Sequence, residues 1–555
     1  MNAMETPNRL DLAIATANNA AGAVMKSLDD LPDRFNLCLT EAEIPLTEAA
    51  RREMALLQGD SGTMLVLAEP LSQAGSRNLR DLRNRAARRG YPVGAERRAV
   101  PGLIPLIYQH FATPGDKAGT AVDSRAQRAF DNLVFQAGES NASDIHIIIR
   151  PPAAEIKFRI YGELETVAYW TSEHATDMCT CAYTVLAEIR DTTWVPERPQ
   201  DANFARVIRG RLHRIRYSHK PIYPPGVLVV LRILSTGKGF AFAPSLQNLG
   251  YSEGQAQTIQ AMVAEPNGAL IVSGETGSGK STTLANLMNL LLQSAGGSVS
   301  LQTVEDPPEY EVPGAIQSPV IHSRDDRDRG IDPYVNAIRS AMRTDVDILV
   351  VGEIRDLETA LLVAQAVGSG HPVMTTVHAS RALGIIPRLE GLGSTLPNNP
   401  VNRALLCGPQ FISGLIHQTL VPVLCGSCSI PFGDALQTGM IDAGLEVRLR
   451  AVAGGDLARV RFRGPGCGQC RKGVRGRTVC AEVVAPDPPL LKLLLDRRDQ
   501  EAFDLWLGRE TGYSIRDRAI DKMCEGLISP VDVERSLGQL RLESHGALRK
   551  RGLAA

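Results

Sequence analysis

The chain has 555 residues, enough for about three or four domains of ordinary size, and its 44% hydrophobic and 22% charged content is that of a soluble globular protein. A formal net charge of −1 and 5% aromatic content give no electrostatic or stacking argument for direct binding of nucleic acid. No apolar run approaches the ~18 residues of a membrane span, and the N-terminus lacks a basic start followed by an apolar core. A cytoplasmic location is therefore expected, with membrane contact only through partners.

Residues 1–30 are rich in Ala and Asn and read as a flexible leader. Residues 31–113 read as a small α/β module. It has a buried strand at Thr63–Ala68, a helix over Arg77–Arg89 ended by Gly90, an extended restart at Tyr91-Pro92-Val93 and a helix over Leu103–Phe111. The arginines between Arg77 and Arg98 make either an anionic docking patch or a solvated helix face. Ala112–Ala121 has linker composition. A second domain is expected over 123–234, opening with a helix at SRAQRAFDNLVFQAGES. Alternating strands follow, with a hairpin turn at Tyr161-Gly162-Glu163 and a helix bearing Cys179 and Cys181. Ser235–Pro244 reads as a second linker.

The third domain, expected over 246–424, contains the most informative stretch. A short apolar strand, Ala269–Val272, runs into Gly274-Glu275-Thr276-Gly277-Ser278-Gly279-Lys280-Ser281, and a helix-prone segment follows from Thr282. This is the G-x-x-x-x-G-K-[ST] pattern in its strand–loop–helix setting, and it predicts binding of a nucleoside triphosphate. Glycines let backbone N–H groups turn inward around phosphate oxygens, and the helix N-terminus adds its positive dipole end. Lys280 is expected at the β- and γ-phosphates, and the Ser281 hydroxyl on Mg2+. Further strands, SVSLQTVED, AIQSPVI, DILVVGE and PVMTTVHA, alternate with helical stretches and predict a parallel, doubly wound sheet.

Glu353 ends the apolar strand Leu349–Val351 and is the candidate to orient or deprotonate the attacking water. Gly352 occupies the place where many phosphate-loop ATPases carry a Mg2+-linked aspartate. Glu305 and Asp306, at the end of SLQTVED, with Glu309 close behind, are the alternative carboxylates. His371 and His378 stand near strand ends and are either structural or phosphate-sensing. Arg339 and Arg343, four apart, would share a helix face toward an anion or a partner. Cys425–Cys428 and Cys467–Cys470 are two C-x-x-C knuckles suited to one tetrahedral structural Zn2+. Cys38, Cys179, Cys181, Cys407, Cys480 and Cys524 show no such pairing. The zinc region is expected over 425–484 and helices over 485–555.

With these motifs in hand, the chain resembles the type II secretion and type IV pilus assembly ATPases, the GspE/PulE/PilB family. The resemblance runs from about Asp123 to Val484 and rests on six stretches in order. These are ASDIHI (142–147), RPQD (198–201), the phosphate loop, VEDPPEY (304–310), LVVGEIRDLETA (349–360) and GHPVMTTVHAS (370–380). The last three look like the family's aspartate box, Walker B region and histidine box. The resemblance implies a RecA-like motor domain, a PAS-like α+β second domain and a homo-hexameric ring with nucleotide clasped between the two. It implies Glu353 as catalytic glutamate, Asp306 and Glu309 in the aspartate box, and His371 and His378 in the histidine box. Arg216 and Arg232 would reach the phosphates from the second domain, and Arg339 and Arg343 would be the pair before Walker B. ATP, Mg2+ and Zn2+ are the implied cofactors. The first module would dock on inner-membrane assembly partners. Departures are Tyr161, Ala202 and Thr419, where the family carries Asp, Gly and Arg. They are expected to lie outside the phosphate site, and with the divergent N-terminus they suit a conjugative-plasmid or type IVb pilus branch. The resulting expectation is a motor for pilin polymerisation through an inner-membrane platform. Rivals are a type II secretion motor, a non-hydrolysing nucleotide and zinc scaffold, and a DNA-moving motor.

Overall fold

The computed structural model describes residues 24–25, 35–42, 44, 46–59, 62–91, 93–100, 102–111, 121–187, 193–208, 211–235, 242–320, 332–454 and 456–544. The expected leader, apart from Val24 and Met25, and the linker stretches 112–120 and 236–241 lie outside the described residues. Two compact units divide the chain, Met1–Val122 and Asp123–Ala555.

In the first unit, β1 (Phe35–Cys38), β2 (Met54–Gly59), β3 (Gly62–Ala68) and β4 (Val93–Ala99) form a sheet in that order. Only β3 and β4 run parallel, because the helix Gln73–Arg88 carries the chain back between them. That helix begins four residues before Arg77, since the Ser72 hydroxyl accepts the Gly75 N–H at 2.9 Å and caps it there. Along β2, Ala55 and Leu57 enter one core cluster and Met54 and Leu56 the other, so both sheet faces are covered. Within the arginine-rich stretch, Arg83 pairs with Glu96 and Arg85 with Asp81.

The second unit opens with the helix Ala121–Glu139 and a six-stranded antiparallel sheet. Its strands are β5 (Ala142–Arg150), β6 (Ala153–Ile160), β7 (Glu163–Thr171), β8 (Gln200–Ile208), β9 (Arg211–Ile222) and β10 (Gly226–Ser235), in the order β7-β6-β5-β10-β9-β8. The β6–β7 hairpin turns at Tyr161 (φ 50°) and Gly162 (φ 93°), two left-handed residues that match the twist of the strands.

The third sheet has seven strands: β11 (Gly268–Ser273), β12 (Leu301–Glu305), β13 (Ile316–Pro319), β14 (Ile348–Val351), β15 (Pro372–Val377), β16 (Ile412–Leu424) and, beyond two short strands, β19 (Val474–Val484). Their order is β13-β12-β14-β15-β11-β16-β19, and all neighbours are parallel except β16 and β19. Ala269 and Ile271 enter one core cluster while Leu270 and Val272 enter the other, as period-two side chains must in a sheet packed on both faces.

The expected domain boundary at Leu424 is corrected by β19. That strand pairs antiparallel with β16 along almost its whole length, so the tetracysteine stretch is an insertion between two neighbouring strands of one sheet. Inside the insertion, β17 (Ile430–Pro431) pairs with β18 (Arg461–Phe462). The helices beyond β19 divide their allegiance. Leu490, Leu494 and Trp506 join the core of the large sheet, whereas Ile520, Met523 and Val533 pack with Leu449 and Phe462 of the insertion. Among the described residues no helix is long and apolar enough to cross a membrane.

Candidate functional site

Parallel pairing decides where the site lies. Ser273 of β11 stands beside Val377 of β15, Val351 of β14 beside Thr375, and Val304 of β12 beside Val351. The residues that follow these strands therefore emerge along one edge: Gly274, His378, Glu353, and Glu305 with Asp306. A parallel sheet collects the carboxyl ends of its strands in this way, and the crevice outside them is where ligands bind.

The phosphate loop leaves β11 at Gly274, turns through Glu275, Thr276 and Gly277, and enters the helix Lys280–Ala295 at Gly279. Gly279 is the N-cap at φ 87°, and no side chain caps the helix, which leaves the first-turn N–H groups of Lys280, Ser281 and Thr282 available to an anion. A Cβ on Gly274 would lie 2.4 Å from the Gln418 carbonyl oxygen. The Ser278 hydroxyl is buried inside the loop without a hydrogen-bond partner. A glycine-built cradle with uncapped donors fits a polyphosphate. The Lys280 ammonium reaches the carbonyls of Gly274 at 2.8 Å and Glu275 at 3.2 Å. Burial lowers its pKa, and the carboxylates of Glu353 and Glu309 oppose that shift.

Facing the loop, Glu353 anchors a chain of charges. Its Oε1 lies 3.1 Å from His378 Nε2 and its Oε2 3.3 Å from Arg355 Nε. Arg355 Nη1 lies 3.4 Å from Asp306 Oδ2. Burial disfavours the Arg355 charge, yet Glu353 and Asp306 outweigh it and hold the guanidinium above its ordinary pKa. Glu305 is turned inward instead. Its Oε1 accepts from Thr303 at 2.7 Å and Gln317 at 3.1 Å, and burial pushes its carboxyl up, so Asp306 and Glu309 are the acids left facing the crevice. The Tyr310 hydroxyl meets Thr282 Oγ1 at 2.8 Å and ties the aspartate-box stretch to the loop helix.

Several expected residues stand elsewhere. His371 precedes β15, whose first residue pairs with Gly268, so it lies at the opposite end of the sheet from His378, roughly 20 Å away along a six-residue strand. There its Nδ1 meets the Ser369 hydroxyl at 2.9 Å. Arg339 pairs with Glu358 at 2.8 Å. Arg343 does not share its helix, which ends at Ala341 with Met342 as cap. Arg216 and Arg232 stand opposite each other on β9 and β10, on one sheet face. Arg216 is exposed, while Arg232 Nε lies 3.0 Å from Asp144 Oδ1. From that same face it is Arg214 that reaches the Pro308 carbonyl, at 3.4 Å.

A cavity of about 310 Å3 opens between the second domain and the loop, lined by Asn141, Ser143 and Tyr161 on one side and Gly279, Thr282 and Arg477 on the other. Tyr161 was expected outside the site, but its turn brings it to this wall. Arg477, on β19, donates to the Gly277 carbonyl at 3.3 Å. Gln418, on β16, donates to the Ser278 carbonyl at 2.8 Å and accepts from Thr283 at 3.0 Å. Sequence reasoning missed Arg355, Arg477 and Gln418. Only Arg355 carried a signal, its place two residues beyond a strand-end carboxylate.

At the insertion, Cys425 and Cys467 Sγ lie 3.8 Å apart, and Cys428–Cys470 and Cys467–Cys470 each 3.6 Å. A tetrahedron with Zn–S bonds of about 2.3 Å has edges of about 3.8 Å, so the four sulfurs fit one zinc ion. Cys38, Cys179, Cys181, Cys407, Cys480 and Cys524 form no disulfide.

The family model described as type II/IV secretion system protein matches residues 121–536. The type II secretion system ATPase E of Vibrio cholerae is 31% identical over 418 residues, covering 74% of this chain and 75% of that protein. The type IV pilus assembly ATPase PilB of Pseudomonas aeruginosa is 27% identical over 432 residues, covering 76% and 69%. Among solved structures, the ATPase DotB of Legionella pneumophila is similar in fold, with a TM-score of 0.52 at 21% identity, over 74% of this chain and 95% of that one.

Proposed function

Because the chain belongs to the type II/IV secretion system protein family, we propose that it is a Mg2+-dependent ATPase that works as a homo-hexameric ring and drives pilin assembly through an inner-membrane platform protein. The observation that carries this reading is the facing of Glu353, held by His378 and Arg355, toward the phosphate loop and Lys280. Lys280 and the helix N-terminus hold the phosphates, Ser281 would hold Mg2+, and Glu353 accepts the proton of the attacking water. Asp306 and Glu309 supply the further negative charge that a metal–phosphate site needs. A ring gives Arg216, Arg339 and Arg343 a use that a single chain does not, since exposed arginines can complete a neighbouring copy's site. A zinc ion on the four cysteines is structural, as four sulfurs leave no open position.

The second reading, a type II secretion motor, is favoured by the higher identity to the Vibrio cholerae relative. Both readings share the same chemistry. Steady-state ATPase rate against protein concentration, with light scattering on the same samples, tests that chemistry for wild type and Glu353→Gln. The expected result is a rate that rises with assembly and falls at least ~100-fold in the variant. An assembled wild type that binds ATP and never hydrolyses it, with membrane extract added, overturns the motor and supports a scaffold.

A further inference from the structure

The strand-edge geometry around Glu353 has one member that is neither acid nor base. Tyr334, near the start of the helix Pro333–Ala341, is 6% exposed and sends its hydroxyl between the ends of β12 and β14. In the ladder joining those strands, the Gly352 N–H donates to the Val304 carbonyl at 2.9 Å. The Glu353 N–H, beyond the last residue of β14, donates to Tyr334 Oη at 3.0 Å. The phenol in turn donates to the Val304 carbonyl at 3.4 Å. A side chain thus supplies one extra rung where the sheet stops and the catalytic carboxylate begins.

Other contacts centre on the same ring. Arg355, the cation between Glu353 and Asp306, lies over the Tyr334 ring with its guanidinium carbon 5.3 Å from the centroid. From the other side, Thr376 Oγ1 donates to the Gly352 carbonyl at 2.7 Å, and the Ile354 N–H donates to the Thr376 carbonyl at 2.9 Å. The segment 352–354 is therefore pinned from β15 by the hydroxyl and carbonyl of Thr376, and on the β12 side by the Val304 carbonyl and by Tyr334. This also accounts for glycine at 352, where a Cβ would lie 3.3 Å from both the Tyr334 hydroxyl and the Val304 carbonyl. Burial pushes the phenol up to about 12, so it stays protonated and can donate and accept together.

We propose that Tyr334 is a positioning residue for ATP hydrolysis: its hydroxyl fixes the backbone of Glu353, and its ring seats Arg355, so that the carboxylate is aimed at the attacking water. The inference rests on the hydrolysis reading above. Tyr334 is buried behind the Glu353 backbone, so nucleotide binding is expected to be independent of it, while small displacements of a catalytic carboxylate are costly.

The test compares full-length wild type, Tyr334→Phe, Tyr334→Leu and Gly352→Ala for ADP affinity, assembly state, thermal melting, kcat and KM for ATP. Phe keeps the ring beneath Arg355 and removes only the rung. Ala at 352 keeps the tyrosine and presses on its hydroxyl. The expected result is a kcat lowered about 10- to 100-fold in Tyr334→Phe, with KM, ADP affinity and assembly within about twofold of wild type. Gly352→Ala is expected to lower kcat in the same selective way. A folded Tyr334→Phe with wild-type kcat overturns the rung, as does a loss seen only in Tyr334→Leu. A Tyr334→Phe that fails to fold leaves Gly352→Ala to decide, its unaltered kcat overturning the proposal. A wild type that hydrolyses no ATP overturns the motor reading itself and this inference with it, which separates the two failures.

Discussion

At the scale of single residues, buried polar groups near the site are held in definite states by their surroundings. Glu482, on β19, is fully buried; its Oε2 accepts the Ala382 N–H at 2.8 Å, and burial pushes its carboxyl from 4.5 up to about 7. Below pH 4.5 folded and unfolded chains both carry its proton. Between 4.5 and about 7 only the folded chain keeps it, so the folded state binds more protons and stability falls as pH rises. Above about 7 the full penalty applies, on the order of 3 kcal/mol for a shift of that size. Glu482→Gln keeps an acceptor for the Ala382 N–H and removes the titration. The variant is expected to melt higher than wild type at pH 8, with the difference shrinking toward pH 5. Equal melting curves at both pH values would count against a raised Glu482. None of this is visible from the sequence, where Glu482 is one acid in an apolar run.

At the scale of elements, the β6–β7 hairpin and the tetracysteine insertion are joined by charge. Glu163 lies 2.8 Å from Arg463 of the insertion and 2.8 Å from Arg535 of the C-terminal helix Pro530–Leu537, and Glu165 lies 3.0 Å from Arg471, with Lys472 at 3.4 Å. Arg471 directly follows Cys470 of the four-cysteine cluster, so a metal that ordered the knuckle would also order the cation gripping the hairpin. The same hairpin carries Tyr161 into the cavity beside Thr282. Exposed ion pairs are weak singly, about 0–1 kcal/mol each, but these four share two carboxylates on one short turn. Glu163→Ala with Glu165→Ala is therefore expected to raise KM for ATP about three- to tenfold while leaving bound zinc at one per chain, measured by steady-state kinetics and metal analysis. Cys467→Ser is expected to lose the zinc and raise KM as well. An unchanged KM in the carboxylate variant would show that the hairpin does not shape the nucleotide pocket. The knuckles were legible because two C-x-x-C pairs are a local pattern. Their grip on the second domain was not, because it joins residues some three hundred positions apart.

At the scale of the whole molecule, the chain divides after Val122, and the family match begins at residue 121. Each core is closed within its own unit, as the clusters around Leu65 and Ala55 share no residue with those around Ile271 or Ile147. Residues 123–555 alone are accordingly expected to fold and to hydrolyse ATP within about twofold of the full chain. Circular dichroism melting and the ATPase assay check this, and a fragment that aggregates or loses turnover would make the first unit part of the motor. The sequence by itself determined the phosphate loop, the strand that delivers Glu353, the paired cysteine knuckles and the alternating strands and helices. The phosphate loop, the Glu353 strand and each single C-x-x-C knuckle are written within about a dozen neighbouring residues, where local spacing carries the pattern. It did not determine which end of the sheet a histidine occupies. His371 and His378 flank one strand, and only the pairing with β11 puts His378 beside Glu353 and His371 at the far edge. Nor did it reveal that the large sheet resumes at β19 and brings Arg477 to the loop, or that Tyr334 completes the ladder at Glu353. Those features are contacts between segments distant in the chain, and no local pattern encodes a partner that arrives only when the sheet closes.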